Sequence, residues 1–141
     1  MTAAIEIAAA DLAACAARAC AAYPDEACAL LEGVRDRAVV RVARVHFADN
    51  VASDRRQRFE VDPRALLRLH RTLRDGDTAI VGLWHSHPNG KAAPSATDFS
   101  QAYDPDLAWI ITAVTESGAG EARAFRLGAD AFAEISLRAP S

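Results

Sequence analysis

Apolar residues in this chain arrive in short blocks, and the spacing within each block sorts it into strand or helix. Ile5–Ile7 fits a short strand. Asp11 caps or opens a helix that runs to about Ala22, with Leu12, Cys15, Ala19 and Ala22 on one face and Tyr23-Pro24 as its stop. On that face the cysteines read as small core residues. Glu26–Val34 is apolar enough for a buried strand and leads into a turn at Arg35-Asp36-Arg37. Ala38–Phe47 alternates, with Val40, Val42 and Val45 inward and Arg41 and Arg44 outward. Ala48–Arg58 reads as a loop and Phe59–Val61 as a short strand. Asp62-Pro63 then starts a second helix to about Arg74, striped by Leu66, Leu69 and Leu73 and ended by Asp75-Gly76-Asp77. Thr78–His87 is a strand, Pro88–Pro94 a loop, and a short helix opens near Ser95. Leu107–Thr115 is a buried strand, and Ala122–Leu127 and Ala131–Leu137 are closing antiparallel strands.

Strands and helices alternate irregularly, and no GxGxxG or P-loop appears. The expected architecture is a mixed α/β sandwich in one domain over residues 1–141, not a Rossmann or nucleotide fold. Of the 51% hydrophobic residues, 33 are alanines, so the fewer large side chains must carry the core. With 25% charged residues and ordinary glycine and proline, disordered and fibrous classes are excluded. A net charge of −3 gives no bulk attraction to nucleic acid or anionic membranes. Glu6, Asp11 and Arg18 break the N-terminal alanine-rich stretch, which fits neither a membrane span nor a secretory signal. Three cysteines (Cys15, Cys20, Cys28) without a CxxC suit a reduced, cytoplasmic protein.

The chemistry concentrates in Trp84-His85-Ser86-His87-Pro88 followed by Pro94-Ser95-Ala96-Thr97-Asp98. Residues two apart on a strand share a face, so His85 and His87 project together from positions roughly 6.5–7 Å apart. Asp98 can add a hard-oxygen ligand from the next helix, and two nitrogens with one carboxylate leave tetrahedral Zn²⁺ a position for water. A bare HxH is weak evidence alone, and Ser95 with Asp98 also fits a helix-capping pair, which does not exclude metal binding. Hydrolysis would further need a proton acceptor. Composition does not choose among the acids; Glu26, at the start of an apolar strand, is one candidate, beside the reading of an ordinary strand-end carboxylate.

The combination HSHP-x5-PSxxD with an upstream Tyr23-Pro24-Asp25-Glu26-Ala27-Cys28 resembles the JAMM motif of the MPN (JAB/Mov34) metallopeptidases, particularly their short prokaryotic members. Asn50-Val51, Phe59-Glu60-Val61-Asp62, Ile80–Trp84 and Phe125-Arg126-Leu127 extend the likeness over nearly the whole chain. The resemblance implies an MPN, cytidine-deaminase-like fold, a mixed β-sheet flanked by helices. It implies that His85, His87 and Asp98 bind Zn²⁺, and that Glu26 is the general base for a zinc-activated water and later protonates the leaving amine. It assigns Ser95 to the developing oxyanion. Ser86 either orients the site or simply faces away along the strand. Ala29 departs from the glycine many relatives carry there, which bears only on local backbone fit. The implied activity is cleavage after the C-terminal Gly-Gly of a ubiquitin-like or sulfur-carrier protein, with the tail bound by strand addition. A non-catalytic MPN module that binds a ubiquitin-like partner is the alternative, though such modules typically lose the metal ligands.

Other HxH families fit poorly. An amidohydrolase barrel needs more chain, and the deaminase PCxxC and the HExxH helix are both absent. A cupin-like binder would want a histidine beyond His87, and there is none. His70 reads as a surface residue and His46 as packing rather than support for the site. The arginines of residues 55–74 read as a solvated face in preference to a docking patch, and nucleic acid is disfavoured because no aromatics interleave with them.

Overall fold

The computed structural model describes residues 1–102 and 104–140. The elements run β1 (Ala4–Glu6), α1 (Ala9–Ala22), β2 (Cys28–Asp36), β3 (Val39–Ala48), α2 (Pro63–Leu73), β4 (Ala79–His87), α3 (Ala96–Gln101), β5 (Ala108–Thr115), β6 (Gly118–Leu127) and β7 (Phe132–Arg138). The sheet does not stay open as a sandwich layer would. It closes into a barrel in the order β1-β3-β2-β4-β5-β6-β7, because the short β1 pairs in parallel with both β3 and β7. That closure is long-range pairing, which no local periodicity can announce.

Alternation along the central strands builds two apolar clusters, one on each face of the sheet. Ala27, Ala29, Leu31, Trp84, Ile110 and Val114 belong to the first, which α1 covers with Cys15 and Ala19. Cys28, Trp109, Ile111 and Phe125 belong to the second, which Phe59 covers from the loop between β3 and α2. Trp84 is fully buried, and its indole Nε1 donates to the Thr112 hydroxyl at 2.9 Å, so its one polar atom is satisfied.

The bend that lets β2 wrap around the barrel comes from two irregularities beside Glu32, one against β3 and one against β4. They explain why the inward valines of β3 break step: Ala43 has no partner across the bulge, so Val42 and Val45 both reach the core side. Gly33 is required there, since a Cβ would lie 1.9 Å from the Arg41 carbonyl oxygen.

Several sequence boundaries shift. α1 starts at Ala9 without a side-chain cap, and Asp11 instead sits in its first turn, where a carboxylate meets the positive helix end. Cys20 is exposed rather than core, unlike Cys15 and Cys28; all three are free thiols. Phe59–Val61 is not a strand: a single bridge joins Val61 to Asn50. α2 begins as expected, with Asp62 accepting from the Arg64 backbone N–H at 3.0 Å and Pro63 at the first position. Arg64, Arg68 and Arg71 line its solvent face, and Leu69 is buried beneath. β6 begins at Gly118, four residues before the expected start, after a tight turn from β5. Among the described residues no helix is long and apolar enough to cross a membrane.

Candidate metal centre

Four side chains from three segments converge where β4 ends. His85 and His87 come from β4, Asp98 from α3, and Glu26 from the two-residue lead into β2. One ligand atom from each lies within 4.8 Å of all the others, and all four residues are buried. The pairing of strands explains the meeting. Cys28 of β2 stands opposite His85, so extending β2 backwards by two residues brings Glu26 level with His87 on the same face. Ser86 points the other way and fastens this extension: its Oγ accepts from the Ala27 N–H at 2.8 Å, and its N–H donates to the Ala27 carbonyl at 3.0 Å.

Asp98 is placed by helix capping. Ser95 Oγ accepts from the Asp98 N–H at 3.0 Å, and Asp98 Oδ2 accepts from the Ser95 N–H at 2.9 Å, a complete capping box on α3. The same Oδ2 lies 2.9 Å from His87 Nε2 and 3.3 Å from His85 Nε2. Capping and convergence on the imidazoles are therefore one geometry, not competing ones. His87 is oriented from behind by its Nδ1, 3.2 Å from the Lys91 carbonyl oxygen, with Nε2 turned toward Asp98.

The electrostatics separate the two carboxylates. Burial would raise Asp98, but the hydrogen bonds from His85, His87 and the Ser95 backbone outweigh it and hold it far below the ordinary aspartate range. Burial, reinforced by the nearby Asp98 and Asp54 charges, pushes Glu26 up to about 8. Burial also lowers His85 and keeps its ring neutral, the form that can ligate a metal.

The donor set fits a divalent cation of the zinc kind. Glu26 Oε1 and Asp98 Oδ1 are buried without a hydrogen-bond partner, a costly state that a cation bound in this cluster would ease. Two donors about 2.1 Å from a tetrahedral ion stand about 3.4 Å apart, close to the 3.3 Å between His85 Nε2 and Asp98 Oδ2. The set of imidazoles plus carboxylates, without thiolate, suits a site that keeps an open position.

Two aromatic side chains complete the surroundings of His85. Phe59 stacks on the His85 ring at 4.4 Å between centroids, and Trp109 meets it edge-on at 5.3 Å. Their only local signal is apolarity; the stacking arises across the fold. His46 lies outside the cluster, bonded through Nε2 to Glu32 Oε1 at 2.8 Å, and His70 is exposed on α2.

Comparison with known proteins agrees with this geometry. The family of prokaryotic homologues of the JAB domain matches residues 8–128. A desampylase from Haloferax volcanii is 32% identical over 114 residues, covering 81% of this chain and 78% of the relative. A CysO-cysteine peptidase from Mycobacterium tuberculosis is 30% identical over 107 residues, 74% of this chain and 70% of its own. A protein from Desulfitobacterium hafniense with a solution structure superposes with a TM-score of 0.84 at 30% identity, over 97% of this chain and 93% of that one. A JAB1/MPN domain protein from Archaeoglobus fulgidus shares the fold at 22% identity, with a TM-score of 0.56 over 94% of this chain and 98% of that one. The mixed α/β barrel is thus an MPN-type fold, and the chain belongs to the prokaryotic JAB family.

Proposed function

We propose that this chain is a zinc-dependent peptidase or isopeptidase that cleaves after the C-terminal Gly-Gly of a ubiquitin-like or sulfur-carrier protein. The observation that carries the reading is the meeting of His85, His87, Asp98 and Glu26 in one buried cluster with unpartnered carboxylate oxygens. The names of the relatives, desampylase and CysO-cysteine peptidase, support the class of substrate.

His85 Nε2, His87 Nε2 and an Asp98 oxygen would hold the metal. Zn²⁺, when bound, supplies Lewis acidity that makes water a nucleophile near neutral pH. Glu26, buried beside these three side chains with an oxygen that has no partner, would take a proton from the attacking water and return it to the leaving amine. Ser95 uses its oxygen to accept the capping N–H, so its own O–H stays available to donate to the carbonyl oxygen as negative charge develops. The scissile carbonyl is attacked, the C–N bond breaks, and the products are a Gly-Gly carboxylate and a free amine. A cytoplasmic setting completes the reading.

The test is a sulfur-carrier protein extended beyond Gly-Gly, incubated with zinc-loaded protein and followed by intact mass. Loss of the extension is expected, stopping with chelator and returning with zinc. His87→Ala and Asp98→Asn should abolish zinc binding and cleavage together. Ser95→Ala should retain zinc while kcat falls by about 10²–10³. A binding or scaffold module would hold the carrier and leave it uncut, and that result would overturn the hydrolase reading.

A further inference from the structure

Glu26 stands outside the ladder that orders the rest of β2, whose strand begins at Cys28. Its two peptide groups are held by the loop between β3 and α2. The Glu26 N–H donates to the Arg55 carbonyl at 2.6 Å, and the Glu26 carbonyl accepts from Asn50 Nδ2 at 2.9 Å. Asn50 is the centre of that loop. Its Nδ2 also donates to the Arg58 carbonyl at 3.1 Å, while its Oδ1 accepts from the Ala52 N–H at 3.1 Å and the Glu60 N–H at 3.0 Å. Backbone bonds from Val51 to Glu60 and from Asp62 to Asp49 close the loop at its base.

The same loop touches every other segment of the centre. Phe59 stacks on His85, and the Arg58 guanidinium lies against the Gln101 side-chain amide on α3, three residues beyond Asp98. We infer that Asn50 is a positioning residue: its amide joins the loop's internal turn to the Glu26 backbone and so sets where the proton-accepting carboxylate stands relative to the imidazole pair. The two halves of the amide divide the work. Oδ1 shapes the loop through Ala52 and Glu60, and Nδ2 ties the loop, at Arg58, to Glu26. The inference deepens the hydrolase reading and rests on it.

Asn50→Asp separates the halves, since a carboxylate still accepts from Ala52 and Glu60 but has nothing to donate to Glu26 or Arg58; Asn50→Ala removes both without adding charge. For each variant, kcat and KM on a Gly-Gly-extended carrier, zinc affinity, and amide hydrogen exchange at Glu26 in the metal-free protein are measured. Both variants should lower kcat by about 10–100-fold, the scale of a displaced catalytic group, with KM and zinc affinity within about twofold of wild type. Exchange at the Glu26 amide should quicken at least about tenfold while Leu31 stays protected. Wild-type kcat in either variant overturns the assignment. So does a joint fall of kcat, zinc affinity and melting temperature in Asn50→Asp, or its failure to fold, because Asn50 would then merely support the fold. If wild-type protein cleaves nothing, the hydrolase reading is what fails, and the exchange measurement still decides whether Asn50 tethers Glu26.

Discussion

Glu26 and Glu32 lie six residues apart, one leading into β2 and one inside it, and both are buried. Their surroundings are opposite. Glu32 is saturated: its Oε2 accepts from the Thr78 hydroxyl at 2.7 Å and from Arg44 at 3.0 Å, and its Oε1 from His46 at 2.8 Å. Glu26 has an oxygen with no partner and faces two aspartates. Bonds from Thr78 and His46 hold Glu32 below the ordinary glutamate range, whereas burial lifts Glu26 to about 8. Burial of an acid therefore says little about its role; what matters is whether its oxygens are already satisfied. The satisfied glutamate pins a bulged strand, and the unsatisfied one is available to a proton.

The sharpest way to break this contrast is Glu26→Gln. Turnover should fall by about 10²–10⁴, the contribution of a general base, while zinc and carrier binding persist. Retained turnover would show that the proton acceptor is another group.

Next in size is the pH dependence of stability in the metal-free protein. A carboxyl raised in the folded state binds its proton more tightly there than in the unfolded chain. Its stabilising contribution is complete below about 4.5 and is lost as pH rises through about 8. Urea unfolding should show a decline of a few kcal/mol across that window, absent in Glu26→Gln. Glu32 has the opposite sign: lowered in the folded state, it contributes above the ordinary glutamate value and loses that contribution on acidification.

Glu32→Gln should cost about 2 kcal/mol of stability, because Arg44 loses its ionic partner and the Thr78–His46 network is disturbed, with kcat within about twofold of wild type. A large loss of kcat at unchanged stability would erase the distinction between the two acids. The smallest effect belongs to Phe59→Leu, which removes the stacking on His85 and should weaken zinc binding by about tenfold or less, read by competition with a chelating dye.

Why was so much of the centre legible in the sequence, and Glu32 not at all? His85, His87, Ser95 and Asp98 fall within fourteen consecutive residues, so strand alternation and a capping box, both local rules, already bring them near one another. Glu26 entered through an upstream segment resembling a family, since nothing local ties it to residues some sixty positions later. Glu32 gains its meaning from Arg44, His46 and Thr78, across two bulges that periodicity cannot reveal. The same holds for Phe59, which local pattern puts in a strand although its neighbours are aromatic rings from β4 and β5. Barrel closure was equally hidden, because β1 is three residues long and its partners lie as far away as Ser136.

That last pairing bears on how the molecule comes into being during translation. Residues 26 to 98 include all four converging side chains and are synthesised before Ser136–Arg138, the segment that locks against Ala4–Glu6. A nascent chain can thus bring these four side chains together while the first strand is paired with β3 alone and its other edge is still unsealed. A metal ion bound at that stage would act as an early staple for an unfinished cylinder.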